Sequence, residues 1–211
     1  MYSEQCMKRT GFFMPNTIEV YADFICPWCY IGLARLTRLT KEREVFLHWN
    51  PYLLRPDMPA GGVPLSSVLP PDRMERAEAA VREATQAAGL PLNRPALVAN
   101  TRQAHEIGFL AEANGLGDAY HRAVFNAYFA NARNIDDAEV LAEIGKEVGL
   151  ARDEILEALR TGRYRAEVDR ATNDAFARGI HSVPTFIFPS GKGFSGALPY
   201  EAFLGAVDAE S

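Results

Sequence analysis

The chain has 211 residues, 48% of them apolar and 23% charged, with a formal net charge of -5. That is enough for a sizeable core in one domain, or in one domain carrying a large insertion. The interspersed charges leave no basic stripe to grip a phosphate backbone, and every apolar run is shorter than the roughly 20 residues of a membrane helix, so neither nucleic acid nor a membrane is expected as a partner.

Residues 1–15 lack apolar periodicity and end at Pro15, which predicts a flexible leader carrying the lone Cys6. The apolar cluster Phe12, Phe13 and Met14 is too short for a secretory signal, so a cytoplasmic location is expected. Thr17 to Ala22 (TIEVYA) alternates and is rich in β-branched and aromatic residues, as suits a strand covered on both faces. An amphipathic helix is predicted from Pro27, with Ile31, Leu33, Leu36 and Leu39 on its apolar face. Val45 to Asn50 reads as a second strand, and the Pro- and Gly-rich stretch from Pro51 to Pro71 as a boundary or insertion loop.

Residues 72–162 read as helical throughout, broken by stop signals at Gly89, Gly115, Gly149 and Gly162. Asn100 with Gln103 reads as a capping box, and Asp118 and Asp136 as helix starts. A further helix is expected from Tyr164 to Arg178, then a strand in Pro184 to Pro189, a turn at 190–193, a short strand near Phe194 and a last helix from Pro199. The domain division that follows is a leader at 1–15, a core built from 16–64 and 163–211, and an inserted helical domain at 65–162. The first β-α-β unit should be parallel and the last hairpin antiparallel.

Cys26-Pro27-Trp28-Cys29 falls at the junction of the first strand and helix. A thiolate is the nucleophile in disulfide exchange, and an ordinary cysteine, with a pKa of about 8.5, is mostly protonated at neutral pH. At a helix N-terminus the unsatisfied N–H groups and aligned peptide dipoles favour the anion, so the Cys26 pKa is expected to be depressed. Cys29, one turn on, is placed to resolve a mixed disulfide formed at Cys26. Pro27 fits the first turn, and Trp28 sets an apolar ring beside the sulfur, so both tune the redox potential. A cis proline at Val183-Pro184 would face the cysteines and offer the Val183 backbone to an extended substrate.

Asp23-Phe24-Ile25-Cys26-Pro27-Trp28-Cys29-Tyr30-Ile31-Gly32, Asn100-Thr101-Arg102-Gln103-Ala104-His105, Tyr128-Phe129, Val183-Pro184 and Ser195-Gly196-Ala197 together resemble the DsbA family of thioredoxin-fold proteins, and its FrnE-like branch in particular. The resemblance covers nearly everything after residue 16. It implies an α/β thioredoxin-like fold with a large inserted helical domain, Cys26 as nucleophile, Cys29 as resolving thiol and a cis peptide before Pro184. The chain departs from thioredoxins proper at Val20, where they carry a buried Asp, and it lacks the His within the C-x-x-C of periplasmic DsbA proteins.

The activity so implied is protein disulfide oxidoreduction on protein or small-molecule thiols and disulfides, without a tightly bound cofactor. The alternative is a glutathione-dependent isomerase or transferase, because kappa-class glutathione transferases and hydroxychromene-carboxylate isomerases are relatives that carry Ser at the Cys26 position. Glutathione would then be a co-substrate, with Ser195 and Gly196 receiving its γ-glutamyl carboxylate. A non-catalytic redox sensor is a third reading. A zinc site at Cys26 and Cys29 is disfavoured for want of a second ligand pair. Asp23 reads as a turn former or a proton shuttle, and His181 as a loop residue or a stabiliser of the thiolate. His48, His105 and His121 read as packing residues. Homodimerisation is left open.

Overall fold

The computed structural model describes residues 16–93 and 96–210. The expected leader, with Cys6, lies outside them. A four-stranded sheet in the order β2-β1-β5-β6 is built from β1 (Thr17–Ala22), β2 (Phe46–Pro51), β5 (Thr185–Ile187) and β6 (Gly193–Ser195). β1 pairs in parallel with β2, Val20 opposite Trp49, and antiparallel with β5, Val20 opposite Phe186. β5 and β6 form the expected antiparallel hairpin. Central placement explains why five of the six β1 residues are buried, as the β-branched and aromatic run anticipates.

α1 (Pro27–Glu42) follows β1, with Pro27 in its first turn and Ile31, Leu33, Leu36 and Leu39 all buried. α8 (Tyr200–Asp208) closes the chain, and its Phe203 meets Phe186 and Phe194 at ring separations of 4.9 and 5.2 Å. Each such buried aromatic contributes about 1.5–3 kcal/mol of transfer free energy. Gly32 of α1 faces Pro184 and Phe186. A Cβ there would lie 3.2 Å from the Phe186 ring and 3.3 Å from Pro184 Cγ.

Between β2 and β5 the chain forms α2 (Pro71–Ala87), α3 (Arg102–Ala113), α4 (Gly117–Phe129), α5 (Ala138–Glu147), α6 (Arg152–Thr161) and α7 (Arg165–Ala177). Helices separated near Gly89, Gly115, Gly149 and Gly162 fill 72–162 as expected, except between α2 and α3. β3 (Val63–Pro64) and β4 (Leu97–Val98) form a two-stranded antiparallel ribbon, and the other described residues between α2 and α3 are in neither helix nor strand. Gly89 (φ +67°) ends α2 in the left-handed region, and Pro91 lacks the N–H that continuation would need. The ribbon also demands Gly62, with φ +69° and a Cβ position only 2.2 Å from the Val98 carbonyl oxygen.

The capping expectations shift by one or two residues. Thr101, without a side-chain cap, precedes α3, while Asn100 accepts from Arg102 N and donates to the Met58 carbonyl. Asp118 lies inside the first turn of α4 and pairs with Arg122 at 2.7 Å. Asp137, not Asp136, caps α5, accepting from Glu139 N at 2.9 Å. Side chains of α4 reach the sheet, where His121 stacks on Trp49 at 4.5 Å and Phe24 meets Phe125 at 5.1 Å. One contiguous apolar core therefore runs from Ile18 through Phe125 to Phe203.

Candidate active site

Cys26 occupies the N-cap position of α1 with extended backbone (φ -85°, ψ 113°), and its carbonyl accepts from the N–H groups of Cys29 and Tyr30. Its own N–H donates to the Asp23 carbonyl at 3.0 Å, which closes the turn between β1 and α1. Both cysteines are buried free thiols. The Cys26 sulfur donates to the Val183 carbonyl oxygen at 3.6 Å, and the Val183–Pro184 peptide is cis. The sequence-derived residues Cys26, Cys29, Val183 and Pro184 thus converge on one spot.

The two sulfurs are electrostatically unlike. The Cys26 thiol is held below its ordinary pKa, first by the hydrogen bond from the Cys29 thiol and then by the backbone N–H groups of Cys29 and Trp28, against burial and the nearby Asp23 charge. Burial pushes the Cys29 thiol well up, and its interaction with Cys26 adds to the rise. The helix N-terminus contributes in the direction that the sequence predicts, but the neighbouring thiol has the larger effect. Deprotonation at Cys26 with retention of the proton at Cys29 is the state this arrangement favours.

Beside Cys26 opens a mainly apolar cavity of about 450 Å³, bounded by Pro27, Trp28, Leu54, Val68, Met74 and Val81, with Arg55 as its charged wall. Trp28 is 39% exposed at its edge, placed to meet whatever enters. The lining residues from Leu54 to Val68 lie in the stretch that sequence reasoning set aside as a boundary loop. Their signal was the apolar residues Leu54, Leu65, Val68 and Leu69 scattered among prolines and glycines. A smaller cavity of about 140 Å³ lies between Arg43, Val45, Phe188 and Glu210, at the far end of α1.

Ser195 and Gly196 brace the Pro184 turn. The Ser195 hydroxyl is within 2.5 Å of the Thr185 hydroxyl, and the Gly196 N–H donates to the Pro184 carbonyl at 2.8 Å. That N–H is therefore committed within the protein. His181 is exposed and packs at 6.0 Å from the Phe176 ring. His48 is half-buried opposite Glu19 in the β1–β2 pair.

Asp23 and His105, in contrast, are both buried, and His105 Nε2 lies 3.6 Å from Asp23 Oδ1. Sequence reasoning treated His105 as packing, since helical periodicity carries no sign of what α3 faces. Among the described residues no group of three His, Cys, Asp or Glu is arranged to hold a metal, and no helix is long and apolar enough to cross a membrane.

The family model for the DSBA-like thioredoxin domain matches residues 17–208. The chain is 30% identical over 173 residues to uncharacterized protein YwbO of Bacillus subtilis (strain 168), covering 81% of this chain and 85% of that one. It is 22% identical to 2-hydroxychromene-2-carboxylate isomerase of Sphingobium xenophagum, covering 81% and 88%. The crystal structure of probable DsbA oxidoreductase SCO1869 from Streptomyces coelicolor is similar at TM-score 0.83 and 26% identity, covering 92% of this chain and 89% of that one. Cytosolic disulfide reductase DsbM from Pseudomonas aeruginosa with GSH shares the fold at TM-score 0.65 and 21% identity, covering 92% and 95%.

Proposed function

Because the chain belongs to the DSBA-like thioredoxin domain family, we propose that it is a thiol-disulfide oxidoreductase working by dithiol-disulfide exchange. Within the family the motif residues favour the FrnE-like branch, and a cytoplasmic setting suits the dithiol. The observation that carries the reading is the pair of free thiols at the start of α1, with the Cys26 sulfur 3.6 Å from the Val183 carbonyl oxygen, and the lowered Cys26 and raised Cys29 pKa values agree with it. The Cys26 thiolate attacks a substrate disulfide and releases one substrate thiolate. Cys29 then displaces the other half, leaving a Cys26–Cys29 disulfide. Val183 and Pro184 border the nucleophile and receive the substrate backbone, Pro27 and Trp28 tune the couple, and Ser195 and Gly196 hold the Pro184 turn.

Redox titration followed by intact mass tests this. A reversible two-electron couple should appear in the native protein and vanish in Cys26→Ser, and a couple that survives the substitution overturns the reading.

A second reading, glutathione-dependent isomerisation or transfer of a small organic molecule in the apolar cavity, is favoured by the likeness to the isomerase and by the glutathione in the DsbM structure. Glutathione is a co-substrate in that scheme, and turnover that survives Cys29→Ala would select it. Retention of Cys at position 26 supports the dithiol reading over this one.

A further inference from the structure

We infer that the substrate is a low-molecular-weight disulfide whose apolar half lies in the cavity beside Cys26 and sets a carboxylate against Arg55. The inference rests on the dithiol reading above and names the substrate class of that site.

Cys26 is 5% exposed, and the space that opens on it is the cavity of about 450 Å³. That volume lies within the roughly 300–1,000 Å³ of small-molecule sites. A disulfide set in the surface of a folded protein would carry more chain with it than a sulfur so recessed can admit. One half of a small disulfide fits the space, and the other extends past the Val183 carbonyl oxygen, 3.6 Å from the Cys26 sulfur.

The wall is apolar and faces no other part of the protein. Among the described residues four large hydrophobic side chains stay exposed, and two of them, Trp28 and Leu54, border this cavity. α2 buries only Val81 and Thr85 of its 17 residues. Yet Met74, Ala77 and Val81, at helical spacing, turn one face of it to the same space. An apolar occupant removes these surfaces from water, which is the favourable term in filling such a site.

Arg55 is the only charged side chain among the described residues that line the cavity. Its guanidinium has no ion pair or hydrogen bond within the described residues. By contrast Arg102, which reaches the same loop at the Pro56 carbonyl, is paired with Asp169. A guanidinium offers parallel N–H donors that fit the two oxygens of a carboxylate. One such cation balances one negative charge, which suits a carboxylate and leaves a phosphate dianion half-compensated.

With the substrate so held, the Cys26 thiolate attacks one disulfide sulfur and the far half leaves as a thiolate. The Cys29 sulfur then bonds to Cys26 Sγ as the Cys26–substrate S–S bond breaks, and the second half leaves as a thiolate. The protein dithiol is oxidised by two electrons, the disulfide is reduced to two thiolates, and the two thiol protons pass to solvent.

Stopped-flow mixing of the reduced full chain with excess bis(nitrobenzoate) disulfide, or with its neutral bis(nitrobenzamide) analogue, follows the coloured thiolate released from each. The native rate should saturate with both. Arg55→Met should raise the half-saturating concentration of the dicarboxylate about tenfold, the lower range for a charge-assisted hydrogen bond. For the diamide it should stay within about twofold. Arg55→Glu should widen that gap by repelling the carboxylate. Met74→Gln, in the apolar wall, should weaken saturation by both disulfides alike. Equal effects of Arg55→Met on the two disulfides overturn the inference. So does the same selective loss in Lys146→Met, an exposed cation on α5 outside the cavity, because attraction by net charge would then suffice. Unchanged saturation in Met74→Gln places the occupant outside the cavity and overturns it too. A native protein that releases one thiolate per chain in place of two overturns the dithiol reading, and the substrate assignment with it, whereas an unselective Arg55→Met overturns the assignment alone.

Discussion

The Cys26 sulfur lies 3.6 Å from the carbonyl oxygen of Val183, a contact between groups 157 positions apart in the chain. It makes the β5 loop part of the surroundings of Cys26, so whatever meets the Cys26 sulfur also meets the backbone ahead of Pro184.

Cys26 should alkylate with iodoacetamide with a pH inflection below the ordinary thiol value of about 8.5, while Cys29 stays unmodified until the protein unfolds. Because the Cys29 thiol is the leading cause of the lowered Cys26 pKa, Cys29→Ala should move that inflection upward. Mass-mapped alkylation rates across pH check both. An inflection unchanged in Cys29→Ala would leave the helix N-terminus as the cause.

Gly32→Val should destabilise the fold by about 1–3 kcal/mol, the usual cost of overpacking, since even one Cβ would press on Phe186 and Pro184. It should also slow Cys26 alkylation or exchange by shifting Pro184 relative to α1. Urea denaturation gives the first quantity and exchange kinetics the second. Unchanged stability would mean that the α1–β5 approach is softer than its distances indicate.

Charge placed in the apolar cavity should discriminate between substrates. Val81→Asp is expected to lower kcat/KM for an aromatic disulfide by about tenfold or more, in the range that pocket contacts typically supply. Oxidised glutathione, polar and charged, should lose less. Equal losses for both substrates would place binding outside the cavity.

Stability should depend on pH through two desolvated groups of opposite sign, buried His121 and half-buried Glu112. Burial lowers the His121 pKa from 6.5 to about 3. The unfolded chain therefore binds the extra proton first, and stability falls as pH drops from about 6.5 toward about 3, by on the order of 4 kcal/mol if the full shift is expressed. Burial raises Glu112 from 4.5 to about 7, with Asp118 repulsion adding to it. Its contribution is present below about 4.5 and is lost as pH rises through about 7. In urea titrations across pH, His121→Phe should flatten the acid limb and Glu112→Gln the neutral one. Unaltered limbs in both variants would assign the pH dependence to other groups.

Local chemistry made much of this protein legible before its folding was known. The β-branched run at Thr17 to Ala22, the apolar spacing of α1, the proline at its first turn and the two cysteines one turn apart are short-range features, and residues fewer than about five apart in a helix have fixed relative positions. The placement of the two thiols at the start of α1 and the direction of the Cys26 perturbation followed from those alone. Motif resemblance extended the reading to Val183 and Pro184.

What only the tertiary structure decided is which distant groups share a space. Periodicity told that α3 has a buried face but not that His105 on it meets Asp23. Nor could the prolines and glycines between 51 and 71 reveal that Leu54 and Val68 wall a cavity with Met74 and Val81. The β3–β4 ribbon was hidden for the same reason, since a two-residue strand has too little pattern to read and exists through its partner. Cys26-Pro27-Trp28-Cys29 was written in the sequence because helix geometry is local. The carboxylate, imidazole and apolar wall around it were not, because burial and pairing are properties of the packed chain.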